Sequence, residues 1–408
     1  MKLRRLAEDF RVDEVSSFPV DTGGPFACYR LQKRGIGTPE AIDQLLRKWD
    51  LQRKRISYGG LKDRHAITTQ FLTIHNGPAK SLKLQHFALE YLGRAARAFT
   101  ATDIEGNRFE LTLRSMSPEE VQRALQTVPE LSATGVPNYF DDQRFGSVTT
   151  NGEFIAAPWV KGDYERTLWL AFAAPTPFDR PAEREQKEIL RTHWGDWKTC
   201  KAQLERSHRR SIITFLDDRP GDFRGAWGRT RPDMRSLYLA AFQSYLWNEI
   251  LAEAIRQRTS ESNRVLVPMK LGGYPFFRGL ESGIWNELQS LSIPLPTARQ
   301  KLEPGPVTDL VRSVLQRLGW EQRELRVKYP RDSFFSKHWR NAVVSLRDFA
   351  AESGIDELDS RRQKLTLSFT LPRGSYATIV VKRLTTAAGV SEVEGLEEDS
   401  DAEEGQED

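Results

Sequence analysis

The chain has 408 residues, too many for one ordinary core and enough for two or three domains at about 150 residues each. Hydrophobic residues make up 39% of it, which supports genuine cores. No run approaches the roughly 18 consecutive apolar residues of a membrane span, and the basic start MKLRRLAEDF lacks the apolar stretch of an export leader.

The net charge of +4 conceals an asymmetry. The segment from Glu392 onward carries ten acids and no base, so residues 1–391 alone carry +14. A body that basic attracts polyanions, while the acidic tail repels itself, has little to bury and is expected to be disordered. The only cysteines, Cys28 and Cys200, lie far apart, which excludes a disulfide framework or a cysteine-rich zinc site and fits a reducing cytoplasm.

The first 150 residues read as mixed α and β. PFACYRLQKR predicts a strand, and GIGTPEAIDQLLRKWD a helix with Thr38 as N-cap, Pro39 at its first position, and Ala41, Ile42, Leu45, Leu46 and Trp49 on one face. Its Gly35-Ile36-Gly37 entry lacks the third glycine of a dinucleotide fingerprint and reads as a turn and cap. YGGLKDRHAITTQF follows. Gly59 and Gly60 permit a tight or left-handed backbone there, and Asp63 can serve as a turn or cap residue or as a catalytic carboxylate kept ionised by Lys62 and Arg64.

QFLTIHN and RFELTLRSM alternate as half-buried strands do, the second with Phe109, Leu111 and Leu113 on one face. Asn107 and Phe109 share that face, either as a turn residue and a core ring or as an amide and a ring for a nucleobase. GVPNYFDDQRFGS interleaves Tyr139, Phe140, Gln143, Arg144 and Phe145, a composition suited to single-stranded RNA and equally to a core edge. The six histidines show no metal-binding spacing, and His65 beside Asp63 reads as structural.

The middle is rich in Arg, Trp and Pro. It carries a long helix, RSLYLAAFQSYLWNEILAEAIRQ, with Leu237, Ala240, Ala241, Tyr245 and Leu246 among its buried candidates. Period-two alternation returns at Leu365, Leu367, Phe369 and Leu371, followed by a Pro-Arg-Gly-Ser turn. The pattern predicts a unit inserted into a core whose last strand is made near the C-terminal end.

In order, EDFRVDE, YGGLKDRHAITTQ, GNRF, GVPNYFDDQRFG and LPRGSYAT resemble the TruD family of pseudouridine synthases. The resemblance implies an α+β fold: a mixed or antiparallel sheet core with helices, interrupted by an α/β insertion domain. The expected divisions are 1–152 and 336–388 for the catalytic core, 153–335 for the insertion and 389–408 for the acidic tail.

It further implies isomerisation of uridine to pseudouridine in tRNA, at position 13 by analogy with bacterial members, without metal or organic cofactor, by a monomer needing no protein partner and acting away from membranes. Asp63 falls on the family's nucleophile. Phe10, Asn107, Phe109 and Tyr376 fall on its substrate contacts, and Lys62, Gln143 and Arg144 are expected as site neighbours. Where many members have Leu-Arg-Glu-Leu after the last motif, this chain has Val-Lys-Arg-Leu with Lys382 and Arg383, so a charge pair made by that Arg and Glu does not carry over. The alternative is a non-catalytic RNA-binding or RNA-folding protein on the same fold.

Overall fold

A computed structural model of the chain describes residues 1–21, 23–390 and 393–395. Two compact units result: the second spans Tyr139–Ala342 and the first takes the segments on either side of it. These limits differ from the expected 152/153 and 335/336. Val136–Pro137 pairs with Val343–Val344 and so closes the first unit, while Tyr139 already packs its ring against Tyr274 and Phe276 within the second.

The first unit is built on a nine-stranded sheet: β1 (Phe10–Val15), β2 (Phe26–Arg34), β3 (Ile56–Tyr58), β4 (Ile67–His75), β5 (Leu82–Lys83), β6 (Phe87–Ala95), β7 (Gly106–Met116), β8 (Arg347–Asp356) and β9 (Asp359–Pro372). Its order is β8-β9-β7-β1-β4-β2-β6-β5, with β3 also beside β4. Every pairing is antiparallel except β1 with β4. Strand β9 comes from the far end of the chain yet lies next to β7, with Phe369 opposite Phe109 and Leu371 opposite Asn107.

The period-two pattern sets the faces. Phe109, Leu111 and Leu113 of β7 are buried while Arg108 and Glu110 are exposed, and on β9 Leu365, Leu367, Phe369 and Leu371 are buried. Helix α1 (Thr38–Trp49) supplies Ala41, Ile42 and Leu45 to a core with Tyr29, Leu31, Leu72 and Ile74; Leu46 and Trp49 pack at its margin. Helices α2 (Pro118–Thr134) and α3 (Ala377–Ala388) pack on each other, and Ser117 caps α2 in a capping box with Glu120.

Three local expectations change. The N-cap of α1 is Gly37, which frees the Thr38 hydroxyl for another task. Gly59 and Gly60 are not left-handed; instead a Cβ on Gly59 would run into Ile104 and Phe99, so close packing requires the glycine. Arg383, buried on α3, pairs with Glu130 of α2 at 3.2 Å, so the altered motif makes a charge pair of its own.

In the second unit the long helix Pro232–Arg258 is buried on all sides, through Leu239, Phe242, Leu246, Trp247 and Ile250 as well as Gln243 and Asn248. Leu237, Ala240 and Tyr245 are only half-buried, because a central helix does not keep a single apolar stripe. Asn248 donates to the Phe140 carbonyl and accepts from its N–H, both at 2.9 Å.

At the end of the chain, Glu394 bridges to Lys2, with its N–H donating to the Met1 carbonyl at 3.1 Å and its carbonyl accepting from Leu3 at 2.9 Å. Residues 393–395 are therefore placed against the N-terminus. Of the rest of the expected disordered tail, 389 and 390 close α3, with Gly389 as its C-cap and the Val390 N–H donating to the Thr385 carbonyl at 3.0 Å, and 391, 392 and 396–408 lie outside the described residues.

Candidate active site

The loop from Gly59 to Ala66 joins β3 to β4 and is held from beneath by buried polar side chains. Lys33 of β2, only 1% exposed, donates from Nζ to the carbonyls of Ile36 (2.8 Å) and Asp63 (2.5 Å). The Thr38 hydroxyl donates to Gln70 Oε1 at 2.8 Å and accepts from the Lys62 N–H at 3.0 Å, while Gln70 Nε2 donates to the Gly60 carbonyl at 3.1 Å. These bonds satisfy groups that would otherwise be buried unpaired, and they fix the backbone on both sides of Asp63.

The Asp63 side chain is 14% exposed. Its Oδ1 accepts from the His65 N–H at 2.8 Å, a local turn bond, and its Oδ2 lies 2.9 Å from Arg4 Nη2. Arg4 is 3% exposed in its side chain, adopts a left-handed φ of 60° and lays its guanidinium 4.2 Å from the centre of the Phe10 ring. The cation on Asp63 is thus Arg4. The flanking cations turn elsewhere: Arg64 pairs with Glu40 at the surface, and Lys62 reaches Glu14.

Glu14 lies opposite Asn107 on the β1–β7 ladder and has a fully buried side chain. Its Oε1 accepts from the Phe71 N–H at 3.0 Å. Lys62 Nζ stands 3.0 Å from Glu14 Oε2, off the hydrogen-bonding direction, and donates to Asn107 Oδ1 at 2.5 Å. Beside this group the same sheet face carries Phe10 edge-on to Phe109 (6.5 Å, 81°), with Phe109 stacked on Phe369 (5.6 Å, 30°).

Phe10, Lys62, Asp63, Asn107 and Phe109 are therefore tied together through the β1–β7 face and the loop. Tyr376 is half-buried at the N-cap position of α3, next to Ser375, whose hydroxyl donates to Asn138 Oδ1 at 3.3 Å. Gln143 and Arg144 belong to the second unit, in the turn Asp142–Phe145; Gln143 is exposed and Arg144 lies 5.8 Å from the Phe140 ring centre. Among the described residues no cluster of His, Cys, Asp or Glu could hold a metal ion, and no helix is long and apolar enough to cross a membrane.

Sequence reading missed Arg4, Glu14, Lys33, Thr38 and Gln70. For Glu14, Lys33 and Gln70 a signal was present: each sits at an apolar register position, after Phe10 and Val12, after Tyr29 and Leu31, and before Leu72 and Ile74. A charged or amide residue in such a register is buried and must find partners. Arg4 carries no comparable mark.

The family model described as tRNA pseudouridine synthase D (TruD) matches residues 1–269 and 277–384. A Methanococcus maripaludis protein named "Probable tRNA pseudouridine synthase D 1" is 32% identical over 94% of this chain and 99% of its own length. The tRNA pseudouridine synthase D of Aquifex aeolicus is 26% identical over 94% of this chain and 98% of its own. A crystal structure of a Methanosarcina mazei protein assigned to TruD superposes with a TM-score of 0.74 at 27% identity, covering 94% of this chain and 93% of that one.

Proposed function

The chain belongs to the TruD family of tRNA pseudouridine synthases, and from that premise we propose that Asp63 is the nucleophile of a uridine-to-pseudouridine isomerase acting on tRNA, at position 13. The observation that carries this reading is the carboxylate itself, paired with the nearly buried Arg4 and backed by Lys33 on its own carbonyl. Such a hold pre-positions a nucleophile and avoids reorganisation during the reaction.

The reaction breaks the N1–C1′ glycosidic bond, forms a C5–C1′ bond and releases the C5 hydrogen to water while N1 gains a proton. Asp63 attacks the base or the sugar carbon, and a covalent intermediate divides the exchange into two easier steps. Phe10, Phe109 and Tyr376 wall the base, Asn107 orients the base or Asp63, and Lys62 holds Asn107. Gln143 and Arg144 contact RNA from the second unit. A target inside folded RNA must be extruded at a cost of a few kcal/mol, which the +14 body and the aromatic residues offset through phosphate contact and stacking. The enzyme works in the cytoplasm as a monomer and without a cofactor.

The test is tritium release from a tRNA transcript carrying 5-tritiated uridine. Wild type is expected to release tritium and Asp63→Asn to lose on the order of 10³-fold or more in rate at unchanged RNA affinity. Equal release by both proteins would move the nucleophile elsewhere.

A further inference from the structure

We infer that Glu14 and Lys62 act as positioning residues that set the polarity of the Asn107 amide, so that the site offers an N–H donor, and not a carbonyl, to a uracil oxygen. The inference rests on the reading of Asp63 and its neighbours as the uridine site.

An asparagine amide can present either end, and only its partners decide which. Here the choice is forced. Lysine is a pure donor, and Lys62 Nζ lies 2.5 Å from one end of the Asn107 amide, so that end must be the oxygen. Lys62 is itself fixed by Glu14, whose side chain is wholly buried, and by its own N–H on Thr38. Glu14 in turn accepts from the Phe71 backbone, so neither charge can swing away without leaving the other buried and unpaired. The Nδ2 group of Asn107 has no hydrogen-bond partner among the described residues, and the side chain is only partly buried.

Uracil displays two acceptors, O2 and O4, either of which suits an N–H donor. A donor that meets O4 also rejects cytidine, whose 4-amino group is another donor, whereas a donor that meets O2, an acceptor the two bases share, does not. An Asn107 free to flip would lose that discrimination. A buried ion pair that adds little to stability thereby serves specificity.

The experiment places 2-thiouridine or 4-thiouridine at the target position of the tRNA and measures single-turnover conversion by nucleoside chromatography, with RNA affinity measured separately. Sulfur is a poor acceptor, so one of the two substitutions is expected to slow wild type about three- to tenfold. The same substitution is expected to have less than about a twofold effect on Asn107→Ala and on the isosteric Asn107→Asp, because the bond it weakens is already gone, and a smaller effect on Lys62→Met than on wild type, because an amide no longer held by Lys62 does not keep its N–H turned to the base. Lys62→Arg, still a donor, restores the sensitivity. Full thio penalties in all variants, or none in wild type, would overturn the inference while leaving the isomerase reading intact. Failure of wild type to convert the unsubstituted tRNA would overturn both.

Discussion

Asp63 shows how little a neighbouring residue in sequence says about a neighbour in space. Lys62 and Arg64 flank it in the chain, yet Lys62 serves Glu14 and Asn107 while Arg64 pairs at the surface, and the cation on the carboxylate comes from Arg4, almost sixty positions away. Arg4 is held by its ion pair and by the Phe10 ring, so its removal affects both the Asp63 carboxylate and that ring. Arg4→Met is expected to lower the rate about 10²-fold with unchanged RNA affinity, and Arg4→Lys to recover part of it, since an ammonium keeps the charge but not the planar stacking on Phe10. Single-turnover rates beside filter-binding affinities check this; a loss of affinity equal to the loss of rate would make Arg4 an RNA contact instead.

The loop that presents Asp63 is aimed by the elements around it. Strand β2 contributes Lys33, the first turn of α1 contributes Thr38 and β4 contributes Gln70, and the three together hold the Gly60, Lys62 and Asp63 backbone. Lys33→Met removes the hydrogen bonds to two carbonyls, with an expected cost of roughly 1–3 kcal/mol in stability, and Thr38→Val removes two hydrogen bonds at about 1 kcal/mol each. Both variants are expected to lower the rate about 10–100-fold by misplacing Asp63, the proposed nucleophile, at constant RNA affinity. Urea unfolding together with tritium release separates the two effects; normal turnover in a destabilised Lys33→Met would show that the loop keeps its aim without the clamp.

Across the first unit, Arg114 of β7 is the main electrostatic tie. It reaches Asp9 before β1 and Asp356 and Glu357 at the β8–β9 turn, and these hydrogen-bonded carboxylates push its pKa up. Arg114→Met strands two buried carboxylates and is expected to cost about 3–5 kcal/mol, measured by urea unfolding near neutral pH.

Acid should weaken the same unit. The Arg97 hydrogen bond holds Asp103 down to about 2, and for Asp356 burial pushes upward but is outweighed by N–H bonds from Leu358, Ser115 and Arg114. Both carboxyls are depressed in the folded state, so the stability they contribute is complete above the ordinary carboxylate range near pH 4 and is lost as the pH falls from there toward about 2. Urea midpoints between pH 2 and 7 follow this, and a midpoint that stays flat below pH 4 would remove these groups from the acid response.

On this same whole-molecule scale, the sequence by itself determined β2, β4, β7 and β9, helix α1, an inserted middle and the Lys-Asp loop, because period-two and period-3.6 burial and the residues that the TruD resemblance rests on are local properties of the chain; β1, β3, β5, β6 and β8 were not read as strands. Only the tertiary structure decided that β9 returns beside β7, that Thr38 binds the loop instead of capping α1, and that Arg4 faces Asp63 while Lys62 faces Glu14 and Asn107. Those pairings join residues distant in sequence, and they are selected by the need to partner each charge and amide that the sheet buries, a condition no short stretch of sequence can express.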